Sequence, residues 1–109
     1  MPADYDYRNI FAELPEDEAT ALLSRMPCQS KASFWDKLTY AAYLHFPVTY
    51  LLPVHDRTIP VEAQKMMIEM ARSQGAKITL KTCDSGHAPM LSIPDQVAEL
   101  LINAAVSLV

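Results

Sequence analysis

Two residues capable of proton transfer occupy corresponding places in the second half of the chain. Asp56 lies in "LLPVHDRTIP" and His87 in "CDSGHAPMLSIPDQVAELL". Each follows a short run of strand-forming residues and precedes a proline and a helix-like segment. A carboxylate that accepts the Nδ1–H of an imidazole fixes its tautomer and stabilises the imidazolium as Nε2 takes a proton. Gly86 is expected to let the backbone turn tightly where the histidine enters the site. A solvated aspartate and a structural histidine meet the same spacing, so residue types alone leave both readings open.

The neighbours have sharp and bland readings of their own. Cys83 is a nucleophile only if a base lowers its pKa; the commoner role of such a cysteine is a small buried hydrophobe. Ser85 reads as a turn residue rather than a displaced nucleophile. Asp84 is an alternative acid, but its local position makes it a poorer orienter of His87 than a group from the adjacent loop. His55 reads as an exposed loop histidine beside the acid, and His45 as a structural residue in an aromatic setting.

For Asp56 and His87 to meet, the elements before them must run side by side. "VTYLLPV" is a short apolar run suited to a strand buried on both faces. "PVEAQKMMIEMARSQG" reads as a helix, with Pro60 at its start and Gly75 at the C′ stop. Ala63, Met66, Met67, Met70 and Ala71 are expected on its inner side as core packing. "AKITLKT" is a second strand, with Ile78, Leu80 and Thr82 on one face. A last helix enters through Pro94 and packs through Val97, Leu100, Leu101 and Ala104. The order β-α-β-α implies a parallel pair with a right-handed crossover. In such sheets functional groups gather at the carboxyl ends of the strands, where both Asp56 and His87 fall.

Before Pro47 the pattern is helical. "LPEDEATALLSRM" places Pro15 near the first turn and Glu16, Asp17 and Glu18 at the positive end of the helix dipole. Ala19, Leu22, Leu23 and Met26 give it one apolar side. A further helix is expected over residues 36–44. Trp35 and Tyr40 fit either an acyl pocket or packing against the core.

Composition bounds these readings. The chain has 109 residues, half of them hydrophobic and a fifth charged, which suits a single globular domain with a modest core. A net charge of −4 gives no basic face for nucleic acid. Cys28 and Cys83 are too few and too far apart for a metal framework or a disulfide scaffold. The start, "MPADYDYRNIFAELPEDEA", has no apolar core of a secretory signal, and no apolar run is long enough to span a bilayer. The expectation is a cytoplasmic protein with no cofactor, no metal, no nucleic acid and no membrane partner.

The acid loop "LLPVHDRTIP" and the stretch "SGHAPMLSIPDQVAELL" resemble the carboxy-terminal end of the α/β-hydrolase superfamily, whose members often close with a loop of the form G-H-x-P. The resemblance implies that Asp56 is the acid and His87 the base of a catalytic triad, with Pro60, Pro89 and Pro94 where such proteins often carry prolines. "LPEDEATALLSRMPCQSKASFWDKLTY" looks like the cap segment over the site in small esterases of the methylesterase-like and hydroxynitrile-lyase-like branch. The likeness covers about residues 14–101. The implied fold is the β-α-β-α end of an α/β-hydrolase sheet (47–109), preceded by a helical cap-like segment (1–46). The implied activity is hydrolysis of an ester, lactone or related carbonyl substrate.

One departure shapes the functional reading. The family carries its nucleophile on a G-x-S-x-G elbow early in the chain. Here Gly75 and Gly86 are the only glycines, and no serine is flanked by glycine on both sides. An acid and a base without a nucleophile do not run an acyl-enzyme cycle. Three functions follow: a hydrolase acting on an ester, lactone or similar carbonyl substrate, with the rest of the fold supplied elsewhere or lost; a truncated relative that binds a partner or small molecule without turnover; and an isomerase, cyclase or lyase using His87 and Asp56 for proton transfer alone. Two parallel strands leave open edges and uncovered faces. The chain is therefore expected to self-associate, to pair with another polypeptide, or to be poorly soluble.

Overall fold

The computed structural model describes residues 7–107. The first six residues of the acidic amino-terminal stretch and the last two of the expected final helix lie outside it. Helix α1 (Glu16–Leu23) starts behind Pro15 with its three acidic residues in the first turn. The carboxy-terminal part follows the expected β-α-β-α order: β1 (Val48–Pro53), α2 (Val61–Ser73), β2 (Ile78–Cys83), then a short α3 (Pro89–Ser92) and α4 (Pro94–Val106).

The two strands pair in parallel, in a register that sets Val48 against Ile78 and Pro53 against Cys83. Beyond the strands the pairing continues into the loops. Val54 N–H donates to the Cys83 carbonyl, and His55 N–H donates to the Ser85 carbonyl, both at 3.0 Å. This extension carries the acid loop and the histidine loop side by side. Gly75 follows α2 with φ +99°, the left-handed conformation that glycine adopts without steric penalty.

Several expectations are corrected. Residues 36–44 form no continuous helix; short 3₁₀ turns occur instead at Lys31–Phe34 and Ala42–Leu44. The reason is lack of a surface to pack on. Trp35 and Leu38 are 83% and 71% exposed, and a helix this short is not stable on propensity alone. Tyr40, also exposed, stacks on His45 with ring centroids 5.1 Å apart, so neither Trp35 nor Tyr40 packs into the core.

The inner face of α2 is not the methionine side. Gln64 and Ile68 are its buried residues, while Met66, Met67 and Met70 are all exposed. On β2, Ile78 and Leu80 are half-buried but Thr82 is exposed. On α4, Val97, Leu100 and Ala104 are half-buried, Leu101 is exposed, and no residue is fully buried. An open groove of about 710 Å³ separates α4 from the sheet face bearing Leu51 and Lys81. The buried core is correspondingly small, with Leu52, Ile68, Ala76, Cys83 and Ala88 as its apolar members.

Candidate active site

Asp56 is held by its own loop before anything remote touches it. Its Oδ1 accepts Thr58 N–H at 2.7 Å and Ile59 N–H at 2.9 Å. A short carboxylate side chain bonding the backbone two and three residues on is a favoured way to close a turn. The other oxygen, Oδ2, accepts the Gln64 amide at 3.0 Å and meets His87 Nδ1 at 2.9 Å. The Asp56 side chain is only 3% exposed.

Gln64 fixes that arrangement from α2. Its Nε2 donates to the Ile59 carbonyl as well as to Asp56, and its Oε1 accepts the Tyr50 hydroxyl at 2.9 Å. All its polar capacity is directed inward, and it is 2% exposed. Burial pushes the Tyr50 hydroxyl's pKa up, and the Asp56 charge adds to the shift. Tyr50 is therefore a neutral donor in the chain of bonds leading to the acid.

For Asp56 the contributions oppose one another. Burial pushes the carboxyl up; the bonds from His87, Ile59 and Thr58 and the charge of the imidazolium push it down. The downward contributions prevail, so the group lies below its ordinary value and is ionised at neutral pH. A carboxylate only accepts, so Nδ1–H of His87 is the donor and Nε2 is the basic nitrogen. No described side chain hydrogen-bonds Nε2, and the His87 side chain is 30% exposed.

The remaining candidates take other roles. His55 Nε2 pairs with Asp84 Oδ1 at 2.6 Å, and both side chains are well exposed. Asp84 thus faces the neighbouring histidine and makes no hydrogen bond to His87. Cys83 is buried, and burial together with the Asp84 charge raises its thiol pKa, the opposite of an activated nucleophile. Ser85 is 4% exposed and shares a 2.6 Å bond with Ser92 Oγ. None of the described serines or cysteines hydrogen-bonds His87. Among the described residues, no group of three or more His, Cys, Asp or Glu side chains is placed to hold a metal ion.

Gly86 is where sequence reasoning found the right position for the wrong reason. Its φ is not positive, so no left-handed turn calls for glycine there. The space a Cβ would take is instead filled by the Glu13 carboxylate, whose carbon would stand 2.6 Å from it, so a side chain here would have to displace that carboxylate. Glu13, Tyr50 and Gln64 were all missed. Gln64 had a signal, because Val61, Gln64, Ile68 and Ala71 recur at helical spacing with Gln64 as the polar exception. Glu13 had none of its own, being more than seventy residues from the loop it touches.

Comparisons with known proteins agree with this architecture. A model of the alpha/beta hydrolase family matches residues 1–100. The chain belongs to the alpha/beta hydrolase family. It is 34% identical over 89 residues to the alpha/beta hydrolase nvfD of Aspergillus novofumigatus, covering 82% of this chain and 33% of that protein. It is 30% identical over 77 residues to the probable hydrolase R7 of a Phoma species, covering 70% of this chain and 32% of that protein. The match thus spans about a third of each of these curated relatives. No solved structure gives a significant match. The two-stranded parallel sheet with its helices is part of the α/β fold that family membership implies. No helix among the described residues is long and apolar enough to cross a membrane.

Proposed function

We propose that this chain supplies the acid and base of an α/β-hydrolase site acting on an ester, lactone or related carbonyl substrate. Asp56 orients His87, and His87 Nε2 takes the proton of a nucleophile carried by another polypeptide segment, completing a catalytic triad. The observation that carries the reading is the 2.9 Å bond between His87 Nδ1 and a buried Asp56 carboxylate, with Nε2 free of side-chain partners among the described residues. A carboxylate needed only to close its own turn has no use for a histidine in that orientation.

The cap-like role of residues 1–46 and the cytoplasmic setting, where Cys28 and Cys83 remain free thiols, belong to the same proposal. So does a companion chain or second copy covering the sheet edges and the half-buried side of α4. The small core and the open groove beside α4 support that need.

Ester turnover tests the function. The chain alone should hydrolyse activated esters no faster than its His87→Ala variant, because the nucleophile and the oxyanion donors are both missing. Supplemented with a polypeptide bearing a G-x-S-x-G elbow and the amino-terminal strands, it should gain activity that depends on both His87 and Asp56. Robust hydrolysis by the lone chain, abolished by Cys83→Ala or Ser85→Ala, would overturn the proposal and indicate a relocated nucleophile.

A further inference from the structure

The histidine loop is gripped from a side that the acid–base pair does not explain. Glu13, from the segment preceding α1, lays its carboxylate over the backbone of residues 85–88. Its Oε1 accepts Ala88 N–H at 3.3 Å and faces the Ser85 hydroxyl at 3.5 Å. These two residues lie on either side of His87 in the chain, and both are 4% exposed. Oε2 is buried with no hydrogen-bond partner among the described residues, close above the Gly86 α-carbon. An ionisable side chain is seldom packed this way without consequence, since a buried oxygen without a partner is costly.

We infer that Glu13 is a positioning residue for His87: its carboxylate straps the loop so that the imidazole presents Nδ1–H to Asp56. Three anchors then hold the loop. His55 N–H ties Ser85 to the β1 end, Ser92 ties it to α3, and Glu13 ties it to the amino-terminal segment. The first acts at Ser85, before the histidine, and Ser92 meets both Ser85 and the Ala88 carbonyl, but only from within the adjoining first turn of α3. Glu13 is the anchor from a remote segment that touches both sides of the histidine, and it takes the Ala88 N–H, so loss of Glu13 leaves the far side held by α3 alone. The strap also explains Gly86, whose missing Cβ leaves the carboxylate its place.

This inference rests on the reading of His87 as the base, and its test separates the two. The imidazole nitrogens of His87 are observed by ¹⁵N NMR in the full chain, together with thermal melts, for four single variants and one double variant. Asp56→Asn is the control for the pair and should remove the Nδ1–H tautomer. Glu13→Ala should lose the protected Nδ1–H resonance and mix the tautomers. Glu13→Gln keeps an oxygen for Ala88 N–H and should retain most of that signal. Gly86→Ala should reproduce the Glu13→Ala spectrum by driving the carboxylate away, yet change little when added to Glu13→Ala.

If Asp56→Asn leaves the His87 spectrum unmoved, the acid–base reading itself fails. If Asp56→Asn moves it while Glu13→Ala only lowers the melting temperature, the pair stands and the strap is merely structural. Should Glu13→Ala not fold, Gly86→Ala decides alone: an unperturbed His87 there refutes the inference.

Discussion

Replacing Asp56 by Asn changes almost no volume but reverses the polarity of half the side chain. With the Asn oxygen kept on Thr58 and Ile59 N–H, its amide would point at the Gln64 amide and at His87 Nδ1–H, donor against donor. Gln64 cannot turn over to relieve this. Its Nε2 also serves the Ile59 carbonyl, and its Oε1 the Tyr50 hydroxyl. The imidazole yields instead, moving its proton to Nε2 so that Nδ1 can accept. That tautomer has no free basic nitrogen on the outer side.

Two backbone bonds fall from charge-assisted to neutral strength, and the Gln64 contact becomes unfavourable. At roughly 1 kcal/mol for each of these changes, the variant should lose about 2–4 kcal/mol at neutral pH. The loss is pH-dependent with a definite sign. Asp56 has a lowered pKa in the folded chain, so its contribution is fully present above the unfolded carboxylate value and disappears as pH falls through the folded one. Denaturant unfolding of parent and variant should therefore differ most near neutrality and converge only once the pH has fallen below the ordinary aspartate range. His87 ¹⁵N spectra should show the Nε2–H form in the variant. A destabilisation that does not vary with pH, or an unchanged tautomer, would refute the reasoning.

Three further outcomes are expected. Gln64→Leu, which fits the space but strands the Tyr50 hydroxyl, the Ile59 carbonyl and part of Asp56, should cost about 2–4 kcal/mol in chemical denaturation. A cost near zero would show that water replaces those bonds. In thiol labelling of the native chain, exposed Cys28 should react rapidly and buried Cys83 only on unfolding, because burial and Asp84 disfavour its thiolate; equal rates would contradict the burial of Cys83. Sedimentation should show self-association that weakens when Met66, Met67 and Met70 are replaced by Gln, since these exposed methionines make an apolar face. A compact monomer at high concentration would count against it.

The β-α-β-α order and the convergence of Asp56 and His87 were legible because they depend on local pattern and on the handedness of one crossover. A strand–helix–strand unit of this length has one common solution, and it sets both loops at one end. What failed was the assignment of faces. On α2 the greater hydrophobicity of Met66, Met67 and Met70 masked the stripe through Gln64 and Ile68 that faces inward. Residues 36–44 failed differently. Aromatic density suggested a packed helix, but packing needs a second surface, and Trp35, Leu38 and Phe46 are exposed. Gly86 was conspicuous in sequence, yet what lies against it is a side chain far away in the chain, which no local rule reaches.

The two halves of the pair differ in how they are held, and this difference bears on how such a site can be assembled. Asp56 owes its position to Thr58, Ile59 and Gln64, all within eight residues of it. Closing loops that short costs little entropy, so the acid is organised as soon as β1 and α2 form. His87 has only part of such a frame nearby, in the bonds that α3 makes to Ser85 and Ala88. Its loop is anchored by the β1 end about thirty residues earlier, by α3, and by Glu13 more than seventy residues earlier. The acid is therefore a property of one supersecondary unit, whereas the base also depends on ties from the β1 end and from Glu13. A site built this way gains a base only after its distant segments have docked, so proton-accepting chemistry at Nε2 is conditional on tertiary structure that the acid loop does not need.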